Sequence, residues 1–380
     1  MLVPRECRSG ETRVAVTPET VKRLMARGCL LQVEQGAGEA SGFEDGAYGE
    51  AGAELIDPEA GAADHWSRAD VVLAVQAAAV AQQRRELEAL RPGALLLGLL
   101  EPHCNDALKQ QLDQRRLSAM ALELLPRISR AQTMDVLSSQ ANIAGYKAVL
   151  LASAALDRYV PMLMTAAGTI QPARALILGA GVAGLQALAT ARRLGAVAYV
   201  SDVRAAAKEQ VESLGGRFIA PPEIEQKPGE TGGYAQQASE AFLAEQRRQL
   251  TEQLALADMV ICTAQVPGRP APRLIDDAML QHMRAGSVVV DLAVAQGGNC
   301  EGSQPGTTVL RHGVQLIGAD QLPCSVANHA SALYARNVAA LLEHLLAAAG
   351  DEPTALQLDL EDPIVSGCLF THHRSEGGAA

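Results

Sequence analysis

Arg174-Ala175-Leu176-Ile177-Leu178-Gly179-Ala180-Gly181-Val182-Ala183-Gly184-Leu185 is the stretch that decides the fold of this chain. A short apolar run ends in glycines spaced GxGxxG, and residues 185–194 then read as a helix. Each glycine has its own reason. Gly179 permits the tight turn, Gly181 leaves room for a pyrophosphate to approach the backbone, and Gly184 lets the helix pack closely on the strand. Free N–H groups and the positive end of the helix dipole would then face the phosphates. A glycine triplet alone is weak. It becomes specific with a strand before it, a helix after it and an acidic residue about 20 positions on. Asp202 supplies that residue, at the end of the apolar run 197–201. Its carboxylate can accept from a ribose 2′-hydroxyl and would repel a 2′-phosphate, which favours NAD(H). Arg204 stands two residues on and could accommodate that phosphate, so residues alone leave NADP(H) open.

The same rhythm extends outward. Runs at 259–263, 287–292 and 314–317 read as buried strands separated by helical or loop sequence. In the first half, residues 30–33, 70–75, 94–100 and 118–122 are strand-like, with helices starting at Thr17-Pro18 and spanning 82–90 and 105–115. Strands alternating with helices imply parallel βαβ units. The fold class is therefore α/β, with two Rossmann-like doubly wound domains, a cleft between them, and long helices linking them. Ala/Leu-rich helices at 138–156 and 328–348 mark the junctions. The expected division is a discontinuous N-terminal domain, 1–137 plus 327–380, and a dinucleotide-binding domain, 138–326. Residues 221–233 are rich in Pro, Glu and Gly and read as a long exposed loop leading to Tyr234.

Composition excludes several functions. With 32 basic and 43 acidic residues the net charge is −11, so neither a nucleic-acid footprint nor a basic lipid-docking face is expected. The 7 cysteines are scattered without CxxC spacing, which points to reduced thiols in a cytosolic setting and to no metal site. His372-His373 has no third ligand nearby and reads as a solvated tail. The N-terminus lacks an apolar signal region, and no apolar run approaches the roughly 20 residues of a membrane helix. No GxSxG, GxxxxGK or HExxH sequence argues for hydrolytic chemistry.

One block is far more specific than the glycine turn: Arg127-Ile128-Ser129-Arg130-Ala131-Gln132-Thr133-Met134-Asp135-Val136-Leu137-Ser138-Ser139-Gln140-Ala141-Asn142-Ile143-Ala144-Gly145-Tyr146. It closely resembles the NAD(H)-binding component of proton-translocating NAD(P) transhydrogenases. The likeness begins at Gly10-Glu11-Thr12-Arg13-Val14-Ala15-Val16-Thr17-Pro18, continues through 179–212, 263–272 and 291–300, and so covers nearly the whole chain. Alanine dehydrogenases share the fold and a similar RVAxTP element. They use an early-strand lysine and a histidine after the next strand. Here Val71-Val72-Leu73-Ala74-Val75 has no lysine, and His103 reads as an exposed loop residue.

The resemblance implies direct hydride exchange, NADPH + NAD⁺ ⇌ NADP⁺ + NADH, coupled to proton movement by separate membrane-spanning subunits. Arg127, Gln132, Asp135 and Ser138 would hold the nicotinamide end, with Gln132 on the carboxamide and Asp135 fixing Arg127. Gly179, Gly181, Val182, Ala183, Gly184, Asp202, Val203, Arg204, Gly233, Tyr234 and Gln265 would bind the cofactor, Tyr234 on a mobile loop. Gln265 stands where the family is expected to carry leucine. The implied partners are an NADP(H)-binding component, the membrane proton-channel subunits and a second copy in a homodimer. The expected location is the cytoplasmic face of the inner membrane, reached through those subunits without direct membrane insertion. Rival readings are an NAD-dependent alanine dehydrogenase and a non-catalytic NAD-sensing module.

Overall fold

The computed structural model describes residues 1–222, 240–266, 268–347, 356 and 358–373. Gly233 and Tyr234, and most of the loop at 221–233, lie outside the described residues. The chain divides into two compact units, Met1–Gln140 with Pro323–Ala380, and Ala141–Leu322. Each is a mixed α/β unit built on a parallel-dominated sheet, so the chain has a two-domain Rossmann-like fold. Among the described residues, no helix is long and apolar enough to cross a membrane.

In the first unit the strand order is Leu369–Thr371, Ser118–Ala121, Leu95–Gly98, Val71–Leu73, Leu2–Val3, Gln32–Glu34 and Glu54–Ile56. All pairings are parallel except that of the edge strand Leu369–Thr371. Successive residues point to opposite faces and both faces are covered, which is why these strands are continuously apolar. Val71, Leu73, Leu95 and Leu97 enter one core cluster, while Val72, Leu96 and Ala119 enter the other. The helix Ala327–Ala347 seals the first face with Tyr334, Val338, Leu341, Leu342 and Leu345. Buried Tyr334 donates its hydroxyl to the Ala74 carbonyl at 2.9 Å.

Two expectations change in this unit. The helix placed at 82–90 is instead Ala77–Gln83 followed by a 3₁₀ turn, Arg85–Ala89. Arg84 sits between the two, its guanidinium held by Glu34 at 2.6 Å and Glu86 at 3.1 Å. His373 is no solvated tail, since its N–H donates to the Ser118 hydroxyl at 2.9 Å and its ring meets Asp113 at 3.0 Å.

Past the carboxyl ends of Leu2–Val3 and Val71–Leu73 lies a buried polar network. Glu6 accepts from the backbone N–H of Val75 at 2.6 Å and of Gln76 at 3.1 Å. Gln76 donates to Glu11 at 3.0 Å, Glu11 pairs with Arg13 at 2.6 Å, and Arg13 donates to Gln140 at 2.9 Å. Burial pushes the Glu6 carboxyl up to about 7 against the two backbone donors. Burial would raise Glu11 too, but its bonds to Arg13 outweigh that and hold it at about 2.

The two carboxyls therefore act on stability in opposite directions. Glu11 stabilises above its unfolded value of 4.5 and loses that as pH falls toward 2. Glu6 holds its proton more tightly when folded, so its contribution is complete below 4.5 and is lost as pH rises through 7. Glu6→Gln keeps the shape and removes the titration. From about pH 5 to about pH 8, wild-type stability should fall further than the variant's, by up to about 3 kcal/mol, in urea unfolding. Parallel curves for the two proteins would exclude Glu6 as the titrating group.

The second unit carries the order Arg217–Ile219, Val197–Ser201, Arg174–Leu178, Met259–Cys262, Val288–Asp291, Val314–Gly318 and Thr308–Arg311. Only Thr308–Arg311 runs antiparallel. The strand order reverses between Arg174–Leu178 and Met259–Cys262. Ligands of open parallel sheets bind at such a point, outside the carboxyl ends of the strands. A separate antiparallel hairpin, Leu163–Thr165 with Gly168–Ile170, completes the unit.

Candidate dinucleotide site

The turn after Arg174–Leu178 is shaped by what its glycines touch. Gly179 has φ +103°, and an added Cβ would meet Thr263 Oγ1 at 2.7 Å, so both conformation and space demand glycine. A Cβ on Gly184 would overlap the Gly179 carbonyl oxygen, which brings the helix Val182–Arg193 down onto the turn. Gly181 is different. It is the residue before that helix, its backbone is extended, and nothing lies within 4 Å of where its Cβ would stand. Open space at Gly181, above the free N–H groups of a helix start, fits a pyrophosphate. Val182 is exposed beside it and Ala183 half-buried.

Gly145 was missed as a site-building residue, although it lies in the most specific block of sequence. A Cβ there would overlap the Ala183 carbonyl, so the helix Val136–Ala155 packs backbone to backbone against the start of Val182–Arg193. Asn142 adds a hydrogen bond to Gln186 at 3.2 Å. A glycine on an alanine-rich helix was the signal available.

Asp202 ends the strand next to the turn. Its Oδ2 accepts from the Ala180 N–H at 2.7 Å and from Arg204 Nη2 at 3.0 Å. Its Oδ1 accepts from the Arg204 N–H at 2.8 Å and Nε at 2.9 Å. The carboxylate is only 6% exposed while the guanidinium is 59% exposed. Burial would raise the Asp202 carboxyl, but the bonds from Arg204 and Ala180 prevail and hold it below the ordinary range. It is an ionised acceptor at neutral pH. Val203 is exposed between the two. Gln265, on the loop after Met259–Cys262, is exposed and donates to the Leu292 carbonyl at 2.9 Å, so it bridges the exits of two neighbouring strands.

Arg127, Gln132, Asp135 and Ser138 belong to the first unit. Arg127 and Gln132 are exposed, the latter on the 3₁₀ segment Ser129–Met134. The expected Asp135–Arg127 pair is not formed among the described residues. Asp135 instead accepts from the Ser138 N–H at 2.9 Å and from its hydroxyl at 2.6 Å. A carboxylate just before a helix finds the N–H three residues on within reach, and this local cap wins over a longer-range partner. His103 is exposed in a turn.

This arrangement defines a dinucleotide-binding oxidoreductase fold: a glycine turn open at its middle position, a helix start behind it and an ionised carboxylate on the adjacent strand. The chain belongs to the alanine dehydrogenase/PNT family, whose N-terminal domain matches residues 2–144 and whose C-terminal domain matches residues 148–375. It is 47% identical to the first polypeptide of NAD(P) transhydrogenase subunit alpha of Rhodospirillum rubrum over 371 residues, covering 97% of this chain and 95% of the relative. Alanine dehydrogenase of Bacillus subtilis is 30% identical over 335 residues, 85% of this chain and 79% of the relative. A solved transhydrogenase from Sinorhizobium meliloti superposes with TM-score 0.86 at 43% identity, covering 98% of both chains. Family and fold thus place the chain among NAD(P)-linked oxidoreductase subunits.

The glycines make separable predictions. Gly184→Ala forces a Cβ into backbone and should destabilise the chain by about 3 kcal/mol or more in thermal or urea unfolding. Gly181→Ala meets no atom and should leave stability within about 0.5 kcal/mol. The same Gly181→Ala substitution should weaken binding of whichever of NADH and NADPH the wild type takes, about tenfold, by crowding the pyrophosphate. Equal effects of the two substitutions on stability would contradict this division of roles.

Proposed function

We propose that this chain is the NAD(H)-binding component of a proton-translocating NAD(P) transhydrogenase. The observation that carries the reading is Asp202, an ionised, nearly buried carboxylate on the strand beside an open glycine turn. It suits a ribose bearing a free 2′-hydroxyl, while Arg204 is neutralised against it rather than turned toward a phosphate. In this reading the turn residues 179–184 hold the pyrophosphate, Asp202 with Val203 and Arg204 holds the adenosine ribose, and Gln265 lies toward the other ribose. Gly233 and Tyr234 would cover the nucleotide. Arg127, Gln132, Asp135 and Ser138 would position the nicotinamide end, with Asp135 acting through its cap on Ser138.

The nicotinamide supplies the hydride chemistry. The reaction is NADPH + NAD⁺ ⇌ NADP⁺ + NADH, and the protein's task is to orient one ring toward a second protein and exclude water. The partners are an NADP(H)-binding component and membrane-spanning proton-channel subunits, with this chain docked through them on the cytoplasmic face of the inner membrane. The first unit favours this over an amino-acid dehydrogenase. Past its strand Val71–Leu73 stands Gln76, held among Glu6, Arg8 and Glu11, and no lysine. Calorimetry with NADH and NADPH, then a hydride-transfer assay with and without an NADP(H)-binding component, tests the proposal. Transfer only with that component supports it; alanine oxidation without any partner overturns it. Asp202→Ser should shrink the preference for NADH over NADPH by about tenfold or more, because it removes the negative carboxylate and frees Arg204.

A homodimer is part of the proposal. The hairpin Leu163–Thr165 with Gly168–Ile170 exposes Met162, Met164 and Ile170, Met164 to 71%. Its edges, unpaired among the described residues, and its apolar side chains suit a second copy related by a two-fold axis. Met164→Glu with Ile170→Glu should shift sedimentation toward the monomer, whereas an unchanged dimer would place the interface elsewhere.

A further inference from the structure

Asn299 is fully buried, and its side-chain amide spends its donors and acceptor on a neighbouring loop. Its Oδ1 accepts from the Ala264 N–H at 3.0 Å. Its Nδ2 donates to the Ala264 carbonyl at 2.8 Å and to the Pro272 carbonyl at 2.8 Å. Both backbone polar groups of Ala264 are thereby fixed, as they would be by a paired strand. Asparagine's planar amide offers an acceptor and two donors from one short stem.

Asn299 is itself delivered by a stiff turn. Gly297 and Gly298 both have positive φ, +98° and +80°. A Cβ on Gly298 would meet Asp291 Oδ2 at 2.9 Å. Buried Asp291 fastens the turn from beneath, accepting from the Ala293 N–H at 2.9 Å and the Cys300 N–H at 3.0 Å. On the other side, Ala264 adjoins the glycine turn, its N–H 3.3 Å from where a Gly179 Cβ would be. Thr263 donates its hydroxyl to the Leu178 carbonyl at 2.9 Å. Asp291, Asn299, Ala264 and Gly179 thus form one continuous brace across the point where the strand order reverses.

Resting on the reading of this site as an NAD(H) site, we infer that Asn299 is a positioning residue for the nicotinamide-side half of the dinucleotide. Asp202 stands on the strand to one side of the glycine turn and takes the adenosine ribose. The loop beginning at Ala264 leaves the strand on the other side, where the second half of a dinucleotide crossing the turn must lie. Asn299 touches no nucleotide. It sets the height of the wall against which that half rests.

The test compares NADH with AMP, which occupies the Asp202 side alone. Asn299→Asp preserves size but replaces the donor with an oxygen facing two carbonyls. Binding of both nucleotides would be measured by calorimetry alongside the melting temperature. NADH should bind about tenfold or more weakly to the variant while AMP stays within about threefold of wild type. Lowering the pH should restore NADH binding in part, since the introduced carboxyl, once protonated, can donate to one carbonyl. Asn299→Ser, whose hydroxyl can donate once, should show an intermediate loss and serves if the first variant does not fold. NADH affinity unchanged in both variants, or NADH and AMP falling together, overturns the role. A wild-type chain that binds AMP and NADH equally overturns the inference together with the nucleotide reading, whereas normal wild-type selectivity with unaffected variants overturns the inference alone.

Discussion

No side chain fits at position 184, because the Gly179 carbonyl oxygen occupies the place a Cβ would take. The end of the helix Val182–Arg193 is thereby pressed onto the turn that precedes it, and its first N–H groups are aimed past Gly181. The neighbours are fitted to this contact. Gly145 lets a second helix approach the Ala183 backbone, Thr263 fills the space that Gly179 leaves, and Asp202 ties the Ala180 N–H to the next strand. Polar groups at this junction are bonded to backbone, which is the general condition for burying them without a large desolvation cost.

The two units show how one topology can be given two uses. Both reverse their strand order at the centre of the sheet, where parallel sheets offer a crevice. In the second unit that place is kept clear by glycines. In the first, Glu6, Gln76, Glu11 and Arg13 occupy the corresponding place and bond mainly to one another and to backbone. Glu11 and Arg13 are almost wholly buried, so the pair is a structural element. Removing one partner would strand a buried charge, a loss worth several kcal/mol in other proteins. What separates the uses is side-chain volume and pairing rather than fold.

Much of this could be read from the chain. The strands Arg174–Leu178, Val197–Ser201, Met259–Cys262, Val288–Asp291 and Val314–Gly318 were legible because strands buried on both faces read as continuous apolar runs. Leu2–Val3 was not, although it lies at the centre of its sheet, since a two-residue strand carries no period. Glu54–Ile56 and Thr308–Arg311 escaped because edge strands are half polar. The glycine turn and Asp202 were legible through spacing. The partner of Asp135 was not, because the sequence allowed both Arg127 and Ser138, and only backbone geometry chooses. The turn Gly297-Gly298-Asn299 close behind Asp291 was legible as either a ligand-facing loop or a structural turn, but its bond to Ala264 was not, because that partner is 35 residues away.

Asp202 has four donors on two oxygens, which is about all that a carboxylate can accept. On the proposed reading a ribose hydroxyl would bond there by taking over a place held by the Arg204 guanidinium, while the Arg204 backbone N–H keeps its own bond to Asp202. Filling the site would then exchange one hydrogen bond for another, with little net enthalpy gained at this corner. Recognition of the sugar would be retained, because a poorer donor would lose the exchange to Arg204. On the proposed NAD(H) reading, Arg204 would also stand ready to take its place back, which would shorten residence. Such an exchange would suit a nucleotide that arrives, reacts and leaves at every cycle, and it would serve badly for a prosthetic group meant to stay.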